Sequence, residues 1–146
     1  MPTTSARTRS SGVAVQFAVA RHGLPSAASL RKWAIHHSGL TIRIVGAREG
    51  RRLNLIYRKR NYPANVLSFD TGDIVLCHPV IAREARTQGK AVAAHYAHMV
   101  VHGVLHLRGY DHNKKREAAR MERAERRILA RLGFADPYAV KSPLPR

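Results

Sequence analysis

Three histidines in the second half of the chain have the type and spacing of a metal site. They are His102, His106 and His112, within the segment HGVLHLRGYDH. On a helix, residues four apart lie about 40° from each other around the axis, so His102 and His106 can face one point. Gly109 permits a sharp turn, which lets His112 approach as a third ligand. Three imidazoles without a fourth protein ligand predict an open zinc site, with water in the remaining position.

The motif differs at one position from that of zinc peptidases with the same histidine spacing. Those peptidases carry a glutamate after the first histidine as general base, whereas this chain has Gly103 there. We expect Gly103 to leave space beside the metal for a bulky anionic substrate. Asp111 either orients a ligand imidazole or is a plain turn residue, and His98 is either an outer partner or an alternative ligand. Three imidazoles also suit nickel, copper and iron.

Net charge is the strongest feature of the composition. Lys and Arg total 26 against 9 acidic residues, a formal net charge of +17. A field of this sign attracts polyanions, above all nucleic acid. A membrane surface is a weaker alternative, because no strongly amphipathic basic helix with large apolar anchors is evident. No apolar run approaches the roughly 20 residues that a membrane-spanning helix needs. The single cysteine, Cys77, excludes an internal disulfide, fits a reducing cytosol and is expected to be a buried apolar residue.

Hydrophobic periodicity predicts the elements that position these residues. Strands are expected at 13–19, 40–45, 66–69 and 74–76, and helices from Ser26 to about Gly39 and at about 47–60, 79–88, 90–107 and 114–132. The helix at 90–107 is apolar nearly all round, which predicts a buried central helix carrying the metal site. The order predicts an α+β fold with a small mixed four-stranded sheet and about five helices. One domain is expected at 12–139, between a flexible N-terminal tail at 1–11 and a C-terminal tail at 140–146.

The histidine segment and several ordered blocks around it resemble the bacterial YbeY family. The blocks are LNLIYR at 53–58, NVLSF at 65–69, GDIVLC at 72–77 and the segment from Met121 through LGF to Asp136-Pro137-Tyr138. The likeness extends in order from about Val13 to Tyr138, nearly the whole chain. The chain departs from the family at Asp70–Asp73, a tight turn where relatives usually carry a longer insertion. It also departs in the basic character of its last helix.

The resemblance implies a zinc-dependent endoribonuclease with one zinc ion. The family's zinc ligands match His102, His106 and His112. An arginine implicated in the family's activity matches Arg58, whose planar, permanently charged fork can hold phosphate oxygens. Zinc at this site would lower the pKa of water and polarise a phosphoryl oxygen, while Arg58 would neutralise charge as it develops.

The resemblance also implies a substrate and a cellular setting. The substrate would be single-stranded ribosomal RNA, in 16S rRNA 3′-end maturation and ribosome quality control in the cytoplasm. The expected partners are the ribosome, a ribosomal protein and a ribosome-assembly GTPase, with no membrane. Two alternatives stay open. A non-catalytic RNA- or ribosome-binding module with a structural zinc explains the charge but not the missing fourth ligand, and a metallopeptidase needs a carboxylate base that the motif does not supply.

Overall fold

The computed structural model describes residues 12–139, so the predicted tails at 1–11 and 140–146 lie outside the described residues. The strands are β1 (Val13–Phe17), β2 (Leu40–Val45), β3 (Val66–Phe69) and β4 (Asp73–Cys77). The helices are α1 (Ala27–Trp33), α2 (Ala47–Arg58), α3 (His78–Gln88), α4 (Val92–Leu107) and α5 (Lys115–Arg131). The α+β class and the predicted order of strands and helices are confirmed. No helix among the described residues is long and apolar enough to cross a membrane.

The four strands form one mixed sheet in the order β1-β2-β4-β3. β1 pairs with β2 and β2 with β4 in parallel, whereas β3 and β4 are antiparallel. Parallel neighbours need long crossovers, and helices α1 and α2 lie in these connections. Between β3 and β4 the predicted tight turn is confirmed: the N–H of Gly72 donates to the carbonyl of Phe69 at 2.8 Å, with a φ of 92° at Gly72.

The sheet is covered on both faces. Ile74 and Leu76 of β4 belong to the larger core, with residues of α1, α4 and α5. The alternate residues Val75 and Cys77 belong to a smaller core that α2 and α3 complete. Because successive side chains of a strand point to opposite faces, β4 is buried on both sides. Cys77 is itself buried, as predicted, and this burial raises the pKa of its thiol.

Helix α4 is the buried central helix that the sequence predicts. Tyr96, Val100 and Val104 have no exposed surface, and the helix contacts α1, α3, α5, β3 and β4. Its sequence, VAAHYAHMVVHGVLHL, contains no Asp, Glu, Lys or Arg. Histidine rings are therefore the titratable groups that this helix carries into the protein, apart from the hydroxyl of Tyr96.

Helix α1 is shorter than predicted. Its start is as expected, since the Ser26 side chain accepts a hydrogen bond from the backbone N–H three residues later. It ends at Trp33 rather than near Gly39. Ile35 and His36 have φ values of 48° and 60°, and a right-handed helix cannot continue through that region of backbone conformation.

Gly103 lies where α4 contacts the sheet. A Cβ atom at this position would be 2.9 Å from Cδ1 of Ile74 and 3.1 Å from Oγ of Ser68. The Ser68 hydroxyl donates to the Gly103 carbonyl at 3.2 Å. The expectation that Gly103 leaves space for a substrate is therefore wrong, because side chains of the sheet fill the space beside its Cα. The glycine allows close approach of helix and sheet.

We predict that Gly103→Ala lowers the free energy of unfolding by about 1–2 kcal/mol. Overpacking costs about 1–3 kcal/mol, and the higher helix propensity of alanine returns at most about 1 kcal/mol. Ile74→Val removes the nearest atom, so it should cost less in the Gly103→Ala background than in the wild type. Urea unfolding of both single variants and the double variant measures this coupling. Additive free energies would contradict the contact.

Candidate metal centre

The structure brings the three predicted ligands together at the end of α4. The ligand atoms of His102, His106 and His112 all lie within 4.8 Å of one another. The ring centres of His102 and His106 are 4.7 Å apart, and those of His106 and His112 are 5.0 Å apart. The first two rings are half-buried and the third is exposed, so the cluster is open to solvent on the side of His112.

The turn after α4 returns the chain towards the cluster. Gly109 has a φ of 96°, in the left-handed region that glycine favours. Its N–H donates to the His106 carbonyl and the N–H of Tyr110 donates to the Leu105 carbonyl, both at 3.0 Å. This pair of bonds is a Schellman motif, which satisfies the last carbonyls of the helix. The chain then places His112 beside the two helical histidines.

Asp111 shapes the loop that carries the third histidine. Its carboxylate accepts from the backbone N–H of His112 at 2.7 Å and from the side-chain amide of Asn113 at 2.8 Å. Of the two roles considered for Asp111, these bonds favour the turn residue. It stabilises the position of the His112 backbone and does not hold a ring by a hydrogen bond.

The lowered pKa of His106 suits metal binding. Burial lowers the pKa of His106, and the neighbouring rings of His102 and His112 lower it further. A metal binds the neutral imidazole, and this is the form that a lowered pKa favours at neutral pH. Three converging imidazoles fit zinc, for which histidine nitrogen is a usual ligand.

A buried carboxylate that the sequence patterns did not single out lies behind His102. Glu125 of α5 has no exposed surface, and its Oε2 accepts from Nδ1 of His102 at 2.5 Å. Its Oε1 accepts from the Tyr138 hydroxyl and lies 3.3 Å from Nε2 of His98. Burial raises the pKa of Glu125, but its hydrogen bonds, first that from His102, outweigh burial and bring the pKa to about 2. The group is therefore a carboxylate at neutral pH.

One signal in the sequence does point to Glu125. It lies four residues from Met121 and four from Leu129, on the apolar stripe of α5, and all three are buried. An acidic residue at such a position needs a buried hydrogen-bonding partner, since an unpaired buried charge is costly. The pattern reveals that a partner exists but does not identify His102.

A second group of possible ligands overlaps the first. His98, His102 and Glu125 also bring ligand atoms within 4.8 Å of one another. However, the 2.5 Å between Nδ1 of His102 and Oε2 of Glu125 is a hydrogen-bond distance, too short for two ligands that each lie about 2.0–2.2 Å from one tetrahedral zinc. We therefore assign this group to hydrogen bonding behind the metal centre, which makes His98 an outer partner.

Arg58 and the three histidines line the same cavity, which has a volume of about 470 Å³. The guanidinium of Arg58 donates to the backbone carbonyls of Ser68 at 2.7 Å and Tyr57 at 3.3 Å. Its Cζ atom lies 5.1 Å from the centre of the Phe69 ring. The polar lining also includes Asn65, Asp70, Asp111 and Asn113. The structure thus places a fixed cation at the end of α2, facing the same space as the imidazoles.

In this small α+β domain, an open cluster of three histidines that could hold a metal ion lies on the same cavity as an arginine. The family described as Endoribonuclease YbeY matches residues 18–133. A relative of that name from Stenotrophomonas maltophilia (strain R551-3) is 50% identical, over 87% of this chain and 92% of the relative. Another from Alkalilimnicola ehrlichii is 53% identical, over 86% and 90%. The chain belongs to the YbeY family.

The fold resembles that of a solved structure. The solution structure of TM1509 from Thermotoga maritima matches with a TM-score of 0.50 and 19% identity, over 92% of this chain and 99% of that chain. At this identity the likeness shows the fold alone. The alignment with the Stenotrophomonas relative spans 149 positions while covering only 87% of this chain, so that relative carries residues that this chain lacks.

We predict that the protein binds about one zinc ion per chain and that His106→Ala abolishes tight binding, because two imidazoles hold zinc too weakly. Competition with a chromogenic chelator measures the affinity. His22→Ala is the control, since this exposed histidine belongs to neither ligand group of the described residues. Equal zinc affinity of the two variants would contradict the site.

Proposed function

We propose that this protein is a zinc-dependent endoribonuclease that hydrolyses phosphodiester bonds of single-stranded RNA. The observation that carries the proposal is that Arg58 lines the same cavity as His102, His106 and His112. The name shared by the relatives, Endoribonuclease YbeY, supports the reaction class. The convergence of three imidazoles supports the metal.

The histidines provide a fixed frame for the metal. Two of them are held by the backbone of a buried helix, and the third is held by a loop that Asp111 closes through its bond to the His112 N–H. A zinc ion bound there supplies Lewis-acid and water-activating chemistry. The chain's contribution is to bring the three rings to one point before substrate arrives.

Arg58 is suited to bind the scissile phosphate. A guanidinium carries five N–H groups, and here the carbonyls of Ser68 and Tyr57 orient it through two of its nitrogens. The Phe69 ring lies within the distance at which an aromatic ring attracts a cation. A cation held in place in this way stabilises negative charge that develops on phosphoryl oxygens without having to reorganise.

The surface beside the cavity supports a single-stranded substrate. The chain carries a net charge of +17, and Lys59 and Arg60, which follow Arg58 in the chain, are exposed. Tyr57 and Tyr62 are 39% and 51% exposed. Single strands bind proteins through cationic surfaces together with aromatic side chains on which unpaired bases stack.

We further propose, on the family resemblance, that the substrate is ribosomal RNA. The role would be 16S rRNA 3′-end maturation and ribosome quality control in the cytoplasm. The ribosome, a ribosomal protein and a ribosome-assembly GTPase would be the partners. Family membership and the strongly basic charge support this setting.

We predict that the zinc-loaded wild type cleaves an end-labelled single-stranded RNA and leaves a duplex of the same sequence largely intact. His106→Ala, prepared and zinc-treated in parallel, should lose cleavage, since it lacks one metal ligand. A contaminating ribonuclease would cut equally in both preparations, so the pair separates it from the protein's own activity. Equal cutting by both, or none by the wild type, would favour the non-catalytic RNA-binding module. Cleavage of a peptide by the wild type alone would favour the metallopeptidase.

We predict that Arg58→Ala lowers the rate of RNA cleavage by about 10²-fold or more, the typical cost of removing a group that stabilises transition-state charge. Arg58→Lys should recover only part of the rate, because an ammonium lacks the planar fork. Arg51→Ala is the matched control. It removes the same charge from the same helix but lines a different cavity. Single-turnover cleavage rates at fixed salt make the comparison. Equal losses of rate in Arg58→Ala and Arg51→Ala would mean that Arg58 contributes only to the overall positive charge.

A further inference from the structure

We propose that Glu125 is a positioning residue for the metal centre, fixing His102 in the tautomer and orientation that present Nε2 to the ion. The inference rests on the proposed function only in that His102 is a metal ligand. It is carried by the hydrogen bond between Nδ1 of His102 and Oε2 of Glu125 at 2.5 Å.

The tautomer follows from what each group can donate. A neutral imidazole has one N–H, and a carboxylate can only accept. The N–H of His102 must therefore be on Nδ1, where Oε2 of Glu125 receives it. The lone pair is then on Nε2, the other ring nitrogen, and is available to a metal. A carboxylate behind a ligand histidine also makes the ring more basic and so a stronger ligand.

The carboxylate is itself held in place. The Tyr138 hydroxyl donates to Oε1 of Glu125, so this proton is not available to His98. Nε2 of His98 lies 3.2 Å from the Tyr138 hydroxyl oxygen and 3.3 Å from Oε1 of Glu125, so it is the nitrogen that donates to this pair of oxygens. Glu125 thus accepts from three side chains in a site without solvent exposure, which fixes both of its oxygens.

Tyr138 is positioned by the segment that follows α5. Its backbone N–H donates to Oδ1 of Asp136 at 2.8 Å, and Nε of Arg126 donates to the same oxygen at 3.2 Å. The Arg126 guanidinium lies 5.2 Å from the centre of the Tyr138 ring. Asp136 therefore orients Tyr138, Tyr138 bonds to Glu125, and Glu125 bonds to His102. Through this series of hydrogen bonds, residues outside the cavity hold one of the metal-binding histidines.

A purely structural role for Glu125 makes different predictions. Removing a carboxylate from water costs free energy, and this cost can cancel what its buried partners contribute to the stability of the fold. If its role were only to stabilise the fold, substitution would lower the unfolding temperature of the metal-free protein and leave the zinc affinity of the folded protein unchanged. A positioning role instead changes the zinc affinity and the proton position on His102.

The first test uses the wild-type protein alone. In metal-free protein labelled with ¹⁵N, long-range ¹H–¹⁵N correlation spectra at a pH where His102 is neutral report which ring nitrogen carries the proton, with His102→Gln providing the assignment. We expect the proton on Nδ1 of His102. A proton on Nε2 would overturn the inference, whatever the protein does to RNA.

The second test is zinc affinity by chelator competition. Glu125→Gln keeps the shape and one acceptor oxygen but loses the charge, and it should bind zinc about 10–100-fold more weakly than the wild type. Tyr138→Phe, which removes only a supporting bond, should show a smaller loss in the same direction. Glu117→Gln makes the same charge change at an exposed position of α5 and should bind as the wild type does.

The outcomes separate this inference from the proposed function. Zinc affinities that are equal in the wild type, Glu125→Gln and Glu117→Gln would overturn the positioning role alone. If the wild type binds zinc no more tightly than His106→Ala does, the result would instead contradict the metal centre and, with it, the proposed function. Glu125→Gln that is weakened in zinc binding, with unchanged circular dichroism, supports the positioning role.

Discussion

The close contact between α4 and the sheet at Gly103 is the constraint on which the site depends. Without a side chain at Gly103, the helix backbone approaches β4 at Ile74, and the Ser68 hydroxyl bonds to the Gly103 carbonyl. The backbone carbonyl of Ser68 also accepts from Arg58. One residue of β3 therefore sets the distance between the helix that carries two of the histidines and the arginine at the end of α2. The glycine in the motif is a packing residue, and the packing determines the width of the cavity.

The histidines of α4 follow a gradient from the interior to solvent. His95 and His98 are buried, His102 and His106 are half-buried, and the ring beyond the helix is exposed. Each inner ring has a carboxylate beside it: His95 contacts Glu84 at 2.8 Å, and His98 contacts the same carboxylate as His102. In a helix that is otherwise almost entirely apolar, these contacts pair one nitrogen of each ring, since a polar group is costly to bury alone. Among the described residues, Nδ1 of His95 and Nδ1 of His98 are buried without a hydrogen-bond partner. The row of histidines is therefore only partly paired by hydrogen bonds.

The features that the sequence predicts here are set by residues close together in the chain. The features that it does not predict depend on contacts between residues far apart in the chain. Spacing along one helix brings His102 and His106 together, and the turn chemistry of Gly109 brings the third ring, so a short segment contains the whole ligand set. Glu125 is 23 residues from His102 in sequence, and its burial against that ring is decided by how α5 packs on α4. The role of Gly103 likewise depends on Ile74, which a different strand supplies. The early end of α1 follows from left-handed backbone at Ile35 and His36, where neither a glycine nor a proline in the sequence indicates a break.

The burial of Cys77 has a practical consequence for studying the cavity. This cysteine is the only one in the chain, and burial raises the pKa of its thiol. Because the thiolate is the nucleophile in alkylation, the natural chain gives a background of very low reactivity towards maleimides and related labels. A cysteine introduced at Asp70, exposed at the rim of the cavity, would carry the one readily labelled sulfur. A spin label or photocrosslinker attached there would record which molecule enters the cavity and from which side it approaches.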